Sequence, residues 1–394
     1  MSQVLWYPGH ELLLKDIVRA ENCYLYDSFG KRYVDLEAGV WCTSVGHGNP
    51  NLLRIMAEQA AKVAHTGFNY SCELLDNVAK AILFLLGFQD GKCVFLCAGS
   101  EAIEYGVRVA QFVSEKPMMM TMADSYFGAY GSARERKEHE WFDFDWFPCL
   151  ECPESKSCDK DCKHWLSIPF DKIGGFLFEP GSSSGLVRFP PAKLIQNIDR
   201  TIKEGDGLIL INEVTTGVGR TGKWFGFQHY DISPDIVGIG KGIGNGYPVS
   251  VTAFAPGVMD LLGDKPVNYA QSHQNDPLGA AVVMEVIRVI KEEKLIERGR
   301  EIAELLVGGL KKIHERCDLI LEIRSRGLMV AVELRDDSKA SLAIRVQKEL
   351  ISRGFVLARR PGLSVLRLDP ALTIEREDIE EFLDTFEEIL RDEH

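Results

Sequence analysis

The sequence predicts an α/β protein with a mainly parallel central sheet in a large domain and a smaller α+β domain. In the first part of the 394-residue chain, short apolar segments of strand length alternate with segments whose apolar residues recur at helical spacing. Such alternation is typical of parallel strands joined by crossover helices. The C-terminal part combines strands near 319–334 and 364–368 with helices, and this combination is typical of a separate α+β unit.

The individual elements follow from local patterns. Residues 22–36 alternate apolar and polar side chains on either side of Asp-Ser-Phe-Gly at 27–30, which predicts a β-hairpin. Apolar runs and helical spacing predict strands at 93–97, 117–123, 174–178, 207–211 and 249–254 and helices at 50–65, 73–86, 191–204, 338–353 and 376–391, with a long helical stretch from Pro277 to about Arg316 that is broken near Glu293 and Lys294.

Composition excludes several classes of function. The net charge of −13 argues against binding to nucleic acid or to anionic membrane surfaces. No apolar run approaches the ~20 residues of a membrane span. The N-terminus lacks the basic start and long apolar stretch of a signal peptide. We therefore expect a cytoplasmic protein whose partners are small molecules.

Lys241 is the residue whose setting points most clearly to chemistry. It stands among five glycines, at positions 238, 240, 242, 244 and 246, and follows an apolar segment. A desolvated lysine loses its charge more easily and becomes a nucleophilic amine, as a Schiff base with an aldehyde cofactor requires. Taken alone, the segment would favour a lysine in an ordinary loop.

The surrounding motifs decide between these interpretations. Gly-Val-Gly-Arg-Thr-Gly at 217–222, Pro-Asp-Ile-Val at 234–237 and Gly-Lys-Gly-Ile-Gly-Asn-Gly-Tyr-Pro at 240–248 resemble the class III pyridoxal-phosphate aminotransferases, the family of ornithine, acetylornithine and 4-aminobutyrate transaminases. The resemblance extends in order over nearly the whole chain. It implies pyridoxal 5'-phosphate bound by Lys241 and the aspartate-aminotransferase-like fold type I.

The resemblance also implies how the chain is organised. It implies a large cofactor-binding domain over residues 45–285, and a small domain in which residues 1–44 pack with residues 286–394. It further implies a homodimer with composite active sites, because the family segment that matches Ser272 binds the phosphate of the neighbouring subunit's cofactor. The alternative is a polar loop before the helix that begins at Pro277.

Four further residues match cofactor contacts of the family. Gly99 and Ser100 lie between a strand and a helix N-terminus, where backbone N–H groups and the helix dipole favour a phosphate. The resemblance implies that Tyr126 stacks on the pyridine ring, and that Thr215 replaces a glutamine that bonds the cofactor's phenolic oxygen. The alternatives are a plain helix cap at Ser100 and a buried aromatic at Tyr126.

Asn212 departs from the family, which carries an aspartate at the matching position. The family carboxylate keeps the pyridine nitrogen protonated and makes the ring a strong electron sink. An asparagine carries no charge, so it should weaken that sink. A natural variant, an engineered substitution and a pseudoenzyme would each explain the asparagine, and a racemase becomes more plausible.

The substrate side of the site is predicted from three matches. Arg367 matches the family arginine that clamps the substrate α-carboxylate, a task that suits a planar guanidinium. The segment after Glu179 lacks the second glutamate that neutralises this arginine in ornithine-type enzymes. We therefore expect Arg367 to be free and the substrate to be an ordinary α-amino acid, with Trp41 as a pocket residue. An arginine paired with a nearby acid and a core tryptophan are the alternatives.

Four of the ten cysteines form a cluster with C-x2-C-x5-C-x3-C spacing. Cys149, Cys152, Cys158 and Cys162 lie in a charged, turn-forming segment. Four thiolates this close can surround one structural zinc or hold an iron–sulfur cluster, and we place zinc first. A redox-active disulfide loop and a chance grouping of cysteines are the alternatives.

These observations lead to one function and two rivals. The first is an aminotransferase that moves an amino group between an amino acid and a 2-oxo acid through a Schiff base on Lys241, with ping-pong kinetics. The second is an amino-acid racemase or epimerase with the same cofactor. The third is a protein in which catalysis is weakened or disabled at Asn212.

Overall fold

The computed structural model describes residues 3–6, 11–67, 69–152, 157–158, 160–265, 267–336 and 339–393. Within these residues no helix has the length and apolarity that a membrane crossing requires. The strands are β1 Ile17–Glu21, β2 Tyr24–Asp27, β3 Arg32–Asp35, β4 Lys92–Leu96, β5 Met118–Met122, β6 Trp141–Phe144, β7 Ile173–Phe178, β8 Leu208–Asn212, β9 Ile236–Ile239, β10 Ser250–Phe254, β11 Ile320–Arg326, β12 Met329–Leu334, β13 Phe355–Val356, β14 Ala358–Arg359 and β15 Val365–Leu368.

The helices fill the connections between these strands. They are α1 Ala38–Trp41, α2 Pro50–Lys62, α3 Glu73–Leu86, α4 Gly99–Val113, α5 Ser132–Glu135, α6 Lys163–Leu166, α7 Ala192–Glu204, α8 Pro256–Leu262, α9 Pro277–Glu292, α10 Leu295–His314, α11 Ser341–Ser352 and α12 Arg376–Asp392, with 3-10 turns at Phe147–Cys149, Gly226–His229 and Lys241–Gly244.

A seven-stranded sheet forms the centre of the molecule. Its order is β4-β10-β9-β8-β7-β5-β6, and the five strands from β9 to β6 are parallel to one another. Strands β7, β8 and β9 are buried along their whole length. Burial on both faces explains why the sequence shows β7 and β8 as continuous apolar runs. The predicted α/β class with a mainly parallel sheet is confirmed.

Strand β10 runs against the rest of the sheet. It pairs antiparallel with both β9 and β4. The alternation of strands and helices predicted a parallel strand here, and that expectation is wrong. The connection from β9 to β10 contains only the short 3-10 turn Lys241–Gly244. It lacks the crossover helix that a parallel return needs, so the chain reverses.

Two smaller sheets complete the fold. The predicted hairpin is present as β2 and β3, joined by β1 on one side, and β3 pairs with β13 from the C-terminal part of the chain. The second small sheet has the order β11-β12-β15-β14. The N-terminal strands and the C-terminal part of the chain are thus joined by backbone hydrogen bonds.

The parallel strands bring the predicted site residues to one edge. Strand β8 ends at Asn212, Glu179 follows β7, and Lys241 comes shortly after β9. Tyr126 follows β5 by a few residues. Ligands of open α/β sheets bind outside the carboxyl ends of the strands, so the topology places the site at this edge.

Candidate active site

An inner cavity of about 170 Å³ lies at this edge of the sheet. Six of the residues singled out in the sequence line it together. They are Gly99, Ser100, Tyr126, Asn212, Thr215 and Lys241, and the apolar side chains of Ile103, Phe127 and Val214 complete the wall. Distant parts of the chain therefore converge on one small, partly apolar space.

Lys241 lies where the inner cavity meets a larger one. Its Nζ donates a hydrogen bond to the Thr215 hydroxyl over 3.2 Å. Burial lowers the pKa of the lysine, while the nearby Cys42 and Glu179 act in the opposite direction. The backbone at Lys241 is left-handed, with φ of +48°, which costs about 1–3 kcal/mol for a residue with a side chain. The fold thus holds an easily deprotonated amine in a strained position.

The start of helix α4 forms a cradle opposite the lysine. The first backbone N–H groups of a helix have no intrahelical partner, and they favour an anion. The hydroxyl of Ser100 accepts a hydrogen bond from the backbone N–H of Ala129 over 3.0 Å. Neighbouring glycines leave room there: a Cβ on Gly128 would lie 2.5 Å from Ser100 Oγ, and one on Gly99 2.6 Å from a Val214 methyl. The backbone N–H groups at the start of α4 and the Ser100 hydroxyl are donors that suit an anion.

Asn212 is held by three protein groups. Its Oδ1 accepts from the backbone N–H of Val214 over 3.1 Å, and its Nδ2 donates to the carbonyl of Tyr126 over 3.0 Å. The same Nδ2 lies 3.4 Å from a carboxyl oxygen of Glu179. These partners fix the orientation of the amide, since one end faces a donor and the other faces acceptors.

Glu179 lies buried behind Asn212. Its carboxyl accepts from the Ser183 hydroxyl over 2.6 Å and from the backbone N–H groups of Ser183 and Tyr126. Burial nevertheless raises the pKa of Glu179 to about 7. The site therefore contains a carboxyl group close to Asn212 that is only partly ionised at neutral pH.

An outer cavity of about 600 Å³ opens beyond Lys241 and Tyr126, which line both spaces. Trp41 forms one wall of the outer cavity, and its ring centroid lies 5.2 Å from Lys241 Nζ. Trp41, predicted as a pocket residue, lines this cavity, and its role toward a substrate stays a prediction. The remaining lining residues are Trp6, Leu12, Val40, Ser183, Ser184 and Arg360.

Arg367 lies under Trp41, and the expectation that it is free is wrong. Its Nε and Nη2 donate to the two carboxyl oxygens of Asp369 over 3.1 and 3.0 Å. Both side chains are almost fully buried, at 1% and 0% exposure. The missing second glutamate of the ornithine-type enzymes does not leave the arginine unpaired, because Asp369 neutralises it instead.

Ser272 lies outside both cavities. It is exposed on the surface of the single chain and precedes His273 and Asp276. Asp276 accepts hydrogen bonds from the rings of His65 and His273, and these three side chains form the group of potential metal ligands that the described residues bring together.

The four clustered cysteines do not form such a group. All four are partly buried, and three of them, Cys149, Cys158 and Cys162, pack against the apolar core. Burial, with smaller contributions from the other three thiols, raises the pKa of Cys149 to about 11. The cysteines are thus neighbours, but the described residues give the predicted metal site no geometric support.

Sequence reasoning missed three residues of the site, namely Asp369, Arg360 and Ser184. Asp369 carried a usable signal, because residues two apart along an extended chain point to the same face and Asp369 follows Arg367 at that spacing. Arg360 and Ser184 come from segments far apart in the sequence, and only the folded chain shows that they line one cavity.

Fold and cavity together define an α/β enzyme site built around a desolvated lysine. The model of the class III aminotransferase family matches residues 7–390. The chain therefore belongs to the class III aminotransferases.

The names of relatives within this family state different reactions. The chain is 28% identical to a leucine/methionine racemase of Thermococcus litoralis, over 95% of this chain and 90% of the relative. It is 27% identical to an acetylornithine aminotransferase of Methanosarcina mazei, over 94% and 90%. Its fold matches a taurine:2-oxoglutarate aminotransferase of Bifidobacterium kashiwanohense, solved with pyridoxal phosphate and glutamate, with a TM-score of 0.88, 21% identity and 99% and 95% coverage.

Proposed function

We propose that this enzyme binds pyridoxal phosphate in the inner cavity and moves an amino group between an amino acid and a 2-oxo acid. The observation that carries the proposal is the position of Lys241, whose amine lies at the junction of the two cavities with a pKa lowered by burial. When bound, the cofactor supplies an aldehyde for Schiff-base formation and an electron-withdrawing ring.

The residues of the inner cavity then have separate tasks. The N-terminus of α4 and the Ser100 hydroxyl would hold the phosphate. Tyr126 and Val214 would cover the ring. Thr215 orients the Lys241 amine through their hydrogen bond. With the substrate amine bound in the site, the free Lys241 amine would take the proton from the substrate Cα as a general base and return it as a general acid.

The two half-reactions share one site, so we expect ping-pong kinetics. The first amino acid leaves as its oxo acid before the second oxo acid enters the outer cavity. Burial lowers the pKa of Lys241, which favours the neutral amine that can accept the substrate proton.

Racemisation is the second candidate. Two observations favour it: Asn212 stands where the family carries an aspartate, and the named relative at 28% identity is a racemase. A neutral amide at this position weakens the withdrawal of electrons from Cα, which favours simple return of the proton over its transfer to a second carbon.

Deuterium exchange separates the two candidates. Purified holoenzyme is incubated in deuterium oxide with one enantiomer of an amino acid and without any oxo acid. An aminotransferase should release about one equivalent of oxo acid per site and then stop, because the amino group stays on the enzyme. Continued formation of the other enantiomer, deuterated at Cα, would contradict the aminotransferase proposal and support the racemase.

Asn212→Asp should not restore a charged partner for the cofactor ring. One oxygen of the introduced carboxyl would face the Tyr126 carbonyl and Glu179, both of which Asn212 meets with N–H groups. We expect the introduced carboxyl to stay protonated, no gain in amino transfer, and a free energy of unfolding lowered by about 1–3 kcal/mol at pH 8. Because burial beside Glu179 raises the folded pKa of such an acid, the deficit should shrink as the pH falls.

Urea unfolding at pH 6 and pH 8 checks this expectation, and Glu179→Gln provides the control. The amide introduced by Glu179→Gln can donate its N–H to the new carboxyl at position 212, while its oxygen keeps the backbone partners of Glu179. The double variant should therefore be more stable at pH 8 than Asn212→Asp alone, a coupling that a double-mutant cycle measures. The expectation is contradicted if Asn212→Asp transfers amino groups faster than the unchanged enzyme and has the same free energy of unfolding. The asparagine would then not be adapted to Glu179.

We also propose that the enzyme is a homodimer with composite sites. Ser272 is exposed and lies outside the cavities of its own chain, so a second chain is needed for it to reach a cofactor phosphate. The resemblance of its segment to the interface segment of the family supports this arrangement.

The cysteine cluster remains a prediction of a structural zinc site. Metal analysis of protein purified from zinc-supplemented medium should find about one zinc per chain, because four thiolates satisfy a tetrahedral ion. Cys158→Ser should lose the metal, whereas Cys317→Ser, which removes a buried cysteine elsewhere in the core, should keep it. Metal-free protein with all four thiols open to titration would contradict the prediction.

A further inference from the structure

The guanidinium of Arg367 has no edge left for a substrate. Its Nε and Nη2 form the two-pronged contact with Asp369, and its Nη1 donates to the carbonyl of Ser183 over 3.4 Å. The indole of Trp41 covers it, with 4.2 Å between the Arg367 Cζ and the ring centroid, and donates its own N–H to Asp369 over 2.7 Å. The side chains of Trp41, Arg367 and Asp369 are all at least nine-tenths buried.

A substrate carboxylate placed on Arg367 would therefore have to displace Asp369. The displaced aspartate would remain buried beside the incoming anion, and an unpaired buried charge is strongly unfavourable. Displacement would also take away the acceptor of the Trp41 N–H. Arg367 thus belongs to the framework of the cavity rather than to its binding groups.

Arg360 lies on the open side of the same indole. Its Cζ is 5.5 Å from the centroid of Trp41, and its side chain lines the outer cavity together with Lys241. Within the described residues its guanidinium has no hydrogen bond or ion pair. Its stem packs against Gly185, where a Cβ would come within 2.6 Å of Arg360 Cγ. This glycine, with φ of +115°, lets the arginine lie against the cavity wall.

One neighbouring group suits an anion at Arg360, and a nearby acid forms no ion pair with Arg360 within the described residues. The hydroxyl of Ser184, next to Gly185, is buried in the cavity wall and has no partner among the described residues. Glu37 is an acid whose pKa is lowered slightly by Arg360. Burial, followed by repulsion from Asp35 and Asp369, nevertheless raises the pKa of Glu37 to about 7, so it is only partly ionised and does not hold Arg360 as Asp369 holds Arg367.

We propose that Arg360, with the Ser184 hydroxyl, binds the carboxylate of the amino-acid substrate in place of Arg367. The inference rests on the proposed function, because it places the carboxylate of the same substrate whose amine reaches Lys241. Val40, Leu12 and Trp41 form the rest of the wall, so the substrate class is an amino acid with a single carboxylate and an apolar body.

The test measures binding and turnover with Arg360→Gln holoenzyme. The binding probe is 4-methylpentanoate, a carboxylate with an apolar body and no amine, titrated by calorimetry. We expect its affinity to fall by about 10- to 100-fold, since a charge-assisted hydrogen-bond pair is lost. KM for leucine should rise by a similar factor, and by more than KM for 3-methylbutylamine, which has no carboxylate. Arg376→Gln, the same change at an exposed site on α12, is the matched control.

The outcomes separate this inference from the proposed function. If Arg360→Gln binds 4-methylpentanoate as tightly as the unchanged enzyme, or if the unchanged enzyme does not bind it, Arg360 is not the carboxylate site. Suppose that no amine donates its amino group, but that Arg360→Gln alone loses affinity for 4-methylpentanoate. The carboxylate site at Arg360 is then supported, and the aminotransferase proposal fails. Loss of affinity in Arg376→Gln as well would overturn the assignment to Arg360.

Discussion

Lys241→Ala should abolish amino transfer while leaving the fold intact. The proton transfer that Lys241 would perform is worth about 10²- to 10⁴-fold by itself, and loss of the Schiff-base amine adds to this. Within the described lining of both cavities Lys241 is the sole lysine, so no second amine can take over. Single-turnover kinetics with the best amino donor, at saturating cofactor, measure the effect.

Lys223→Ala is the matched control for this variant. Lys223 lies in the same stretch of chain but is exposed, and its amine donates to the carbonyl of Gln228. We expect its turnover to equal that of the unchanged enzyme. The thermal unfolding temperature of Lys241→Ala should not fall, because removing a desolvated amine relieves a burial cost. A Lys241→Ala enzyme that keeps a tenth or more of the rate would place the chemistry elsewhere.

Asp369→Asn should destabilise the protein by about 3–5 kcal/mol, because it leaves the buried Arg367 without its counter-charge. Burial lowers the pKa of Arg220, and the charge of Asp369 opposes this effect. The variant therefore leaves two buried guanidinium groups poorly compensated. Urea unfolding at neutral pH measures the loss in the free energy of unfolding.

Removing both charges is the control for this prediction. The pair Arg367→Met and Asp369→Leu replaces two buried ions by apolar groups, and such replacement is often neutral or stabilising. The double variant should therefore be clearly more stable than Asp369→Asn. If Asp369→Asn loses less than about 1 kcal/mol, the pair does not have the structural role that its burial and two-pronged contact imply.

Much of the fold could be predicted because buried strands and helices have recognisable patterns of apolar residues. The apolar runs at 174–178 and 207–211 are strands covered on both faces, and the break in the helical pattern near Glu293 matches the boundary between α9 and α10. Strands β6 and β9 were not predicted. Strand β9 is only four residues long and contains a glycine, and β6 mixes aromatic and acidic side chains, so neither gives a clear pattern.

The sequence could predict site residues that lie within a local motif, but not the contacts between segments that are far apart in the chain. Gly99, Ser100 and Lys241 belong to local motifs, and the structure brings them to one cavity. The pairing of Asn212 with Glu179 joins two strands, and the wall that Arg360 shares with the serine at position 184 joins segments far apart. Contacts of this kind depend on the packed sheet and leave no periodic signal in the sequence.

An absorbance spectrum of the purified holoenzyme, before and after addition of single amino acids without any oxo acid, tests the central claim most directly. The proposed function predicts that the band of the Lys241-bound cofactor is replaced by that of pyridoxamine phosphate, with about one equivalent of oxo acid released. Lys241→Ala should show neither the initial band nor the change. A band that shifts with the amino acid but never converts, in the unchanged enzyme, would contradict amino-group transfer.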